Sequence, residues 1–274
     1  MSGLKTSKKE SAQPQSQSQY EVADVLNILG SKLENLELNS WQLRTLSALK
    51  KCRTSALGGH IDACDECGVL SISYNSCRNR HCPKCQGKNR EDWIQTRENE
   101  LLPVPYFHVV FTLPDVLNKT ALHEPKMLYD ILFESAWETL QTFGKNKNLQ
   151  MGMIAVLHTW GQNLSLHPHL HCIVPGGGVD ESGTWKNIRS DGKFLFPVKA
   201  LSKVFRAKFC EKLKDKNLEE YPKITRNLWE KPWVVYAKKP FGSPKSVVEY
   251  LGRYTHKIAI SNQRIRKIDA ETVT

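Results

Sequence analysis

The pattern of apolar positions changes several times along the 274 residues. Residues 1 to 19 carry almost no apolar side chains, whereas from Tyr20 onward Leu, Val and Ile recur at steps of three and four. A segment too polar to bury a core is predicted to be a disordered tail. The helical spacing predicts two short helices after it, the second capped by Ser40. A polar helix is then expected from Lys88 until Pro103.

Beyond that proline the pattern becomes extended. The stretch YFHVVFTL at 106–113 is β-branched and aromatic and lies between prolines, which is typical of a strand. Further strands are predicted at 152–160, 169–174, 233–237 and 257–265, and helices at about 124–146, 198–214 and after Ser243. Because these elements follow no regular βαβ repeat, the sequence favours an α+β fold with an antiparallel sheet.

Charge and composition narrow the function. The 39 Lys and Arg exceed the 28 Asp and Glu by 11, which makes a polyanion, nucleic acid first, the expected partner; an ordinary basic protein is the alternative. No apolar run reaches the ~18 residues of a membrane helix, and the N-terminal stretch lacks the apolar core of a signal peptide. We expect a cytoplasmic protein with no membrane partner. There is no GxxxxGK[ST] loop, so no nucleotide cofactor is expected.

Six of the eight cysteines lie in one module at 52–85. In a reducing compartment clustered Cys indicates metal binding, and two CxxC pairs can supply the four thiolates that Zn²⁺ prefers. The predicted structural zinc ligands are Cys64, Cys67, Cys82 and Cys85. A second, interleaved set is a weaker prediction and consists of Cys52, His60, Cys77 and His81. Basic residues of the same module are predicted to contact DNA: Arg78, Arg80, Lys84, Lys88 and Arg90.

The stretch HPHLHCIV at 167–174 predicts a second kind of metal site. Alternate residues of a strand share a face, so His169 and His171 point the same way. A hairpin through 161–168 would bring His158 beside them, with Gln162 as a competing third ligand. Three imidazoles that leave coordination positions open are expected of a catalytic metal. The alternative is a set of hydrogen-bonded histidines without a metal.

A helix after Ser243 carries Tyr250 and Tyr254, four residues apart and therefore on one face. Beside a cation a phenol could serve as a nucleophile. Taken without the histidines, such a pair is more often part of an apolar stripe that packs against the core.

The motifs FTLP at 111–114, HPHLHC at 167–172 and YLGRYTHK at 250–257, preceded by YNSCRNRHCPKCQ at 74–86, together resemble the ninety-one family of bacterial insertion sequences. These are rolling-circle transposases with an N-terminal zinc-binding region and a two-tyrosine HUH nuclease domain. The resemblance implies a helical and zinc-binding module at 20–100 and the HUH domain at 101–274. Family members usually continue beyond this chain's end, so a C-terminal truncation is expected.

The resemblance also implies a function. It makes Tyr250 and Tyr254 the nucleophiles of a DNA endonuclease and strand transferase, with Mg²⁺ or Mn²⁺ on the histidines. The expected substrate is single-stranded DNA at mobile-element ends and targets, cut through a 5′-phosphotyrosine intermediate. Two alternatives stay open: a zinc-dependent DNA-binding protein without catalysis, and a replication initiator with the same chemistry.

Overall fold

In the computed structural model the described residues are 18–33, 35–161, 163–188, 195–216, 221–238, 244–255, 258, 260–269 and 271–274; side chains 31, 88, 244, 245, 247 and 253–255 are outside the description. Most of the tail predicted at 1–19 therefore lies outside the described residues. The chain divides into two compact units, one of residues 1–84 and 260–274 and the other of residues 85–259.

The first unit begins with two helices, α1 (Val22–Leu29) and α2 (Ser40–Lys51). The cap of α2 is Asn39 rather than the predicted Ser40, which is the first helical residue. The Asn39 side chain accepts the Gln42 N–H at 2.9 Å, and the Gln42 side chain accepts the Asn39 N–H at 2.9 Å. This reciprocal pair satisfies two backbone donors at the helix start, which is why the helix begins there.

A hairpin that was not predicted follows, made of β1 (Gly59–Ala63) and β2 (Leu70–Tyr74) in antiparallel register. Its turn closes where the Gly68 N–H donates to the Cys64 carbonyl at 2.8 Å. Gly68 has a φ of +69°, which a glycine adopts without the steric cost of a side chain. The turn residues between Ala63 and Leu70 therefore lie at the opposite end of the hairpin from Gly59 and Tyr74.

The strand predicted at 257–265 does not form in the described part of that segment. Asn262–Arg264 is a 3-10 turn instead. The Asn262 side chain accepts the Val22 N–H at 3.1 Å. Asn favours turns because its amide competes for backbone groups, and the apolar alternation of the segment did not outweigh that preference.

The second unit is built on one four-stranded sheet. Its strands and those of a small second sheet are β3 (Tyr106–Thr112), β4 (Ile154–Trp160), β5 (Leu166–Pro175), β6 (Gly177–Val179), β7 (Trp185–Asn187) and β8 (Val235–Lys238). Its helices are α4 (Asn118–His123), α5 (Pro125–Lys145), α6 (Val198–Asp215), α7 (Tyr221–Glu230) and α8 (Pro244–Thr255), and α3 (Pro83–Asn99) leads into it. The main sheet has the order β4-β5-β3-β8 and is antiparallel throughout, which confirms the α+β prediction.

One face of this sheet forms the main core. Phe107, Val109 and Phe111 of β3 are buried there against helices α5 and α6. Helix α6 presents Phe205 and Phe209 to them at a spacing of four, which puts both aromatic rings on one helical face. Alternation along β3 therefore sends the residues between these three to the opposite face.

That opposite face is covered by a smaller apolar cluster. Val248 and Leu251 of α8 pack with Ile94 of α3 and with Tyr106 and Ile173 of the sheet. His108 of β3, His158 of β4, and His169 and His171 of β5 lie on this same face. Among the described residues no helix is both long and apolar enough to cross a membrane.

Candidate metal centres

Three histidines converge on the α8 side of the main sheet. The register of β4 and β5 pairs His158 directly with His169, and alternation along β5 brings His171 to the same face. One ligand atom from each of the three lies within 4.8 Å of the others. His169 and His171 are buried, and His158 is half-buried. The structure thus brings together the three residues that the sequence analysis selected.

Hydrogen bonds fix which nitrogen of His169 faces the cluster. Its Nδ1 lies 2.6 Å from the carbonyl oxygen of His167, which can only accept, so the proton resides on Nδ1. The lone pair is then on Nε2, which lies 3.1 Å from Nδ1 of His158. An ion with metal–nitrogen distances of ~2.1 Å places adjacent octahedral nitrogens about 3 Å apart. The spacing fits two imidazole ligands on one cation.

The environment keeps these imidazoles neutral at physiological pH. Burial, with the neighbouring imidazoles, lowers the pKa of His158 to about 4 and that of His171 to about 2. Burial also lowers the pKa of His169. A neutral imidazole carries the lone pair that a metal needs, so the site can bind a cation without first releasing protons.

A fourth histidine belongs to the cluster and was missed. His108 of β3 is buried, and its Nε2 lies 2.8 Å from Nδ1 of His171. The two rings are stacked, with centroids 5.1 Å apart and planes 11° apart. The signal was present in the sequence, because a polar residue alternates there with Phe107 and Val109 in an otherwise apolar strand.

The first predicted tyrosine lies beside this cluster. The ring of Tyr250 on α8 meets that of His108 edge-on, with centroids 5.2 Å apart. Tyr254 follows one turn later on the same helix, but its side chain lies outside the described residues. The competing ligand Gln162 also lies outside them.

An open cavity of about 490 Å³ leads to the histidines. Trp160 forms part of its wall, with a ring centroid 4.5 Å from that of His158. The other lining residues are Gly161, Asn163, Ser165, His167, His169 and His171. The histidine cluster is therefore open to a ligand on the side of the β4–β5 turn.

The cysteines form a second centre of different composition. The sulfur atoms of Cys52, Cys77, Cys82 and Cys85 lie within 4.8 Å of one another. The Cys77 N–H donates to the Cys52 sulfur at 3.5 Å, and the Asn79 N–H donates to the Cys77 sulfur at 3.5 Å. Four thiols, two of which accept amide donors, fit a structural zinc ion, since no ligand position is left for a substrate.

This set corrects the predicted pairing of the two CxxC motifs. Cys82 and Cys85, at the start of α3, meet Cys52 and Cys77, whereas Cys64 and Cys67 are exposed and outside the cluster. The hairpin register explains the difference. Pairing of Gly59 with Tyr74 joins the two ends of the hairpin and carries its turn about 13 Å away along the strands.

The two histidines of the predicted second set also lie elsewhere. Nε2 of His60 is 3.6 Å from the Asp62 carboxylate, and both side chains are more than half exposed. His81 packs edge-on against Trp41, with centroids 5.6 Å apart, and its Nε2 accepts from Nε of Arg80 at 3.3 Å. The spacing of Cys and His residues along the sequence did not indicate which of them the folded hairpin keeps apart.

The predicted DNA-contacting residues have different environments. Arg78 and Arg80 are exposed, whereas Lys84 pairs with Glu21 at 2.5 Å and donates to the Cys52 carbonyl at 3.3 Å. Arg90 is half-buried on α3, and the Lys88 side chain lies outside the described residues. Of the four of these side chains that the structure describes, Arg78 and Arg80 are the most exposed.

Two family models match this chain. Residues 25–113 match the family of the transposase zinc-binding domain (Zn_Tnp_IS91), and residues 152–274 match the family described as "Putative transposase" (Y2_Tnp). "Putative transposase y4qJ" of Sinorhizobium fredii is 43% identical over 91% of this chain and 68% of its own length. The transposase for insertion sequence element IS801 of Pseudomonas savastanoi is 31% identical over 85% of this chain and 59% of its own length.

Among solved structures, the conjugative relaxase TrwC in complex with mutant OriT DNA aligns with 72% of this chain and 66% of its own, at 11% identity and a TM-score of 0.33. A metal-free TrwC complex with OriT DNA aligns with 41% of this chain and 45% of its own, at 12% identity and the same TM-score. The sequence relationships cover 91% and 85% of the chain at higher identity, and they confirm the predicted family. The chain belongs to the IS91 family of transposases, with an N-terminal zinc-binding domain.

Proposed function

We propose that this chain is the catalytic part of a transposase that nicks single-stranded DNA and transfers the cut strand through a phosphotyrosine. The observation that carries the proposal is the convergence of His158, His169 and His171 on the face of the sheet that α8 covers with Tyr250. The chain spans 68% and 59% of the lengths of the two transposases that it resembles. The statement that the whole protein has this activity is therefore also a proposal.

The histidines would hold a divalent cation through neutral imidazole nitrogens. Mg²⁺ and Mn²⁺ are the candidates, and imidazole suits Mn²⁺ well. When bound, such an ion supplies Lewis-acid polarisation of a non-bridging phosphate oxygen. The cavity beside Trp160 provides room for a phosphate and its neighbouring nucleotide, and the indole offers a surface on which a base can stack.

The reaction follows from a phenol next to this site. The hydroxyl oxygen of Tyr250 or Tyr254 forms a bond to phosphorus while the bond from phosphorus to the 3′ oxygen breaks. The phenol proton is lost and the departing 3′ oxygen gains one, which leaves a 3′-OH and a 5′-phosphotyrosine. Because one phosphodiester replaces another, no ATP is consumed, and the second tyrosine can accept the next strand.

Single-stranded DNA is the substrate that this arrangement favours. The scissile phosphate must enter the cavity beside the histidines, which a base-paired strand does not readily do. The net charge of +11 and the exposed Arg78 and Arg80 of the zinc module supply a sequence-independent attraction for the phosphate backbone.

The test is an adduct assay with an oligonucleotide from the terminus of the mobile element that encodes the protein. In the presence of Mn²⁺ the wild type should yield a protein–DNA adduct that survives SDS. Tyr250→Phe and Tyr254→Phe should each reduce its yield, and the double variant should form none. At position 250, Phe keeps the ring that packs against His108, so a loss of adduct in that variant reports the missing hydroxyl.

An adduct that persists in the double variant would exclude the tyrosine mechanism. Wild-type protein that binds both the oligonucleotide and Mn²⁺ but gives no adduct would favour the alternative of a DNA-binding protein without catalysis. A variant in which His158, His169 and His171 are all replaced is the control for a contaminating nuclease. Cleavage that depends on the bound metal should disappear in this variant, whereas cleavage by a contaminant should remain.

A further inference from the structure

His108 occupies a position between the metal trio and the tyrosine helix. It lies on β3 next to β5, where register pairs Val110 with His171, so the two histidines are diagonal neighbours on one face. One edge of its ring meets Tyr250 and its Nε2 reaches Nδ1 of His171 at 2.8 Å. With 5% of its surface exposed, the ring has little room to turn.

The hydrogen bond restricts the proton positions of both rings. If His171 binds a cation through Nε2, that nitrogen must carry a lone pair and the proton must be on Nδ1. The Nδ1–H then donates to Nε2 of His108, which must itself carry a lone pair. Metal-binding imidazoles commonly use their second nitrogen in this way, and the partner fixes both tautomer and ring orientation.

We propose that His108 is a positioning residue that holds His171 in the tautomer and orientation needed to bind the catalytic cation. This inference rests on the proposed function, since it concerns the same metal. It parallels the role of the His167 carbonyl, which fixes the tautomer of His169 from 2.6 Å. Of the three ligands, His169 thus donates to a backbone carbonyl and His171 donates to the side chain of His108.

Two substitutions separate this role from simple packing. His108→Phe retains an aromatic ring against Tyr250 and removes the acceptor, whereas His108→Gln offers an amide oxygen that can accept from His171. Mn²⁺ affinity, measured by isothermal titration calorimetry, should fall by about 10–100-fold in the Phe variant. The Gln variant should recover most of that loss, although it resembles histidine less in shape.

A Phe variant that binds Mn²⁺ as tightly as the wild type would overturn the inference. So would a Gln variant that is impaired as strongly as Phe, because that result would assign His108 a packing role only. Should the Phe variant fail to fold, the tautomer is measured in the wild-type protein. Nitrogen-15 NMR with bound Mg²⁺ should place the His171 proton on Nδ1, and a proton on Nε2 would contradict the inference.

These readouts are independent of cleavage. Wild-type protein that binds Mn²⁺ but forms no DNA adduct would refute the proposed function and leave the role of His108 intact. Normal adduct formation at saturating Mn²⁺, together with an unchanged Mn²⁺ affinity of the Phe variant, would support the proposed function and refute the role of His108.

Discussion

Nδ1 of His158 and Nε2 of His169 lie 3.1 Å apart across directly paired positions of β4 and β5. In a protein without a metal, two neutral nitrogens at this distance can share one proton. With a metal, both lone pairs can point to the same ion. The pairing is set by backbone register, so the sheet holds these two ligands in place before any cation arrives.

Loss of one of these ligands should abolish tight metal binding. We expect His158→Ala to weaken Mn²⁺ binding by more than ~10–100-fold, which is the usual effect of losing a residue that only hydrogen-bonds to a metal ligand. Calorimetric titration measures the change. His123→Ala is the control, because His123 is an exposed histidine on α4 that does not line the cavity. Equal affinities in the two variants would show that Mn²⁺ binds elsewhere.

The histidine cluster should also make stability depend on pH. The pKa values of His158 and His108 are lowered from 6.5 to about 4, chiefly by burial. Between these limits the unfolded chain binds protons that the folded chain does not, so the free energy of unfolding should decrease as the pH falls from 6.5 to 4. Urea titrations without added Mg²⁺ or Mn²⁺ measure this.

Carboxylates add their own acid dependence, so the slope is compared between variants. His158→Gln removes one titrating group from the cluster and should give a shallower decrease over the same pH range. A slope that does not change would mean that His158 is protonated equally in the folded and unfolded states.

The cysteine centre predicts which substitutions remove the same zinc ion. Cys52→Ser and Cys82→Ser should each cost one equivalent of zinc, and the double variant should lose no more than either one, because both thiols bind a single ion. Zinc content by mass spectrometry reports the stoichiometry. The opposing result is that Cys64→Ser removes the ion lost in Cys82→Ser while Cys52→Ser retains it.

The packing of α8 against α3 depends on Gly252. A Cβ at this position would overlap Cδ1 and Cγ1 of Ile94, which is buried. Gly252→Ala should therefore destabilise the protein by about 1–3 kcal/mol, as overpacked cores usually do. Urea unfolding measures the loss. Ile94→Ala removes both overlapping atoms, so the double variant should be less destabilised than the sum of the single variants; strict additivity would count against the contact.

Much of the main sheet could be predicted from residue patterns. Alternation at 106–113 and the histidine spacing at 167–171 indicate both the strands and the face that carries the ligands, because side-chain direction in a strand follows a period of two. The position of His158 beside His169 could be predicted because a short hairpin constrains which strands pair. The polar residue at 108 marked a face of β3, but assigning His108 to the cluster required the strand order, because nothing local indicates that β3 lies next to β5.

The ligand set of the cysteine centre could not be predicted from residue patterns. The motif spacing correctly indicated a zinc-binding module, but the ligand set depends on the β1–β2 hairpin, which separates Cys64 and Cys67 from the ends of the strands. The exposed apolar residues of that hairpin, such as Ile61 and Ile72, give no periodic burial signal. The turn at Asn262, where a strand was predicted, likewise accepts a hydrogen bond from Val22, a residue 240 positions away that no local pattern indicates.

The most direct test of the account is to locate the DNA on the protein. After reaction with a terminus oligonucleotide and Mn²⁺, the adduct is digested and the peptide that carries the nucleotide is sequenced by mass spectrometry. We predict that the modified residue is Tyr250 or Tyr254 and that His169→Ala, a variant without one metal ligand, yields no modified peptide. DNA attached to any other residue, or attached equally in that variant, would contradict the account.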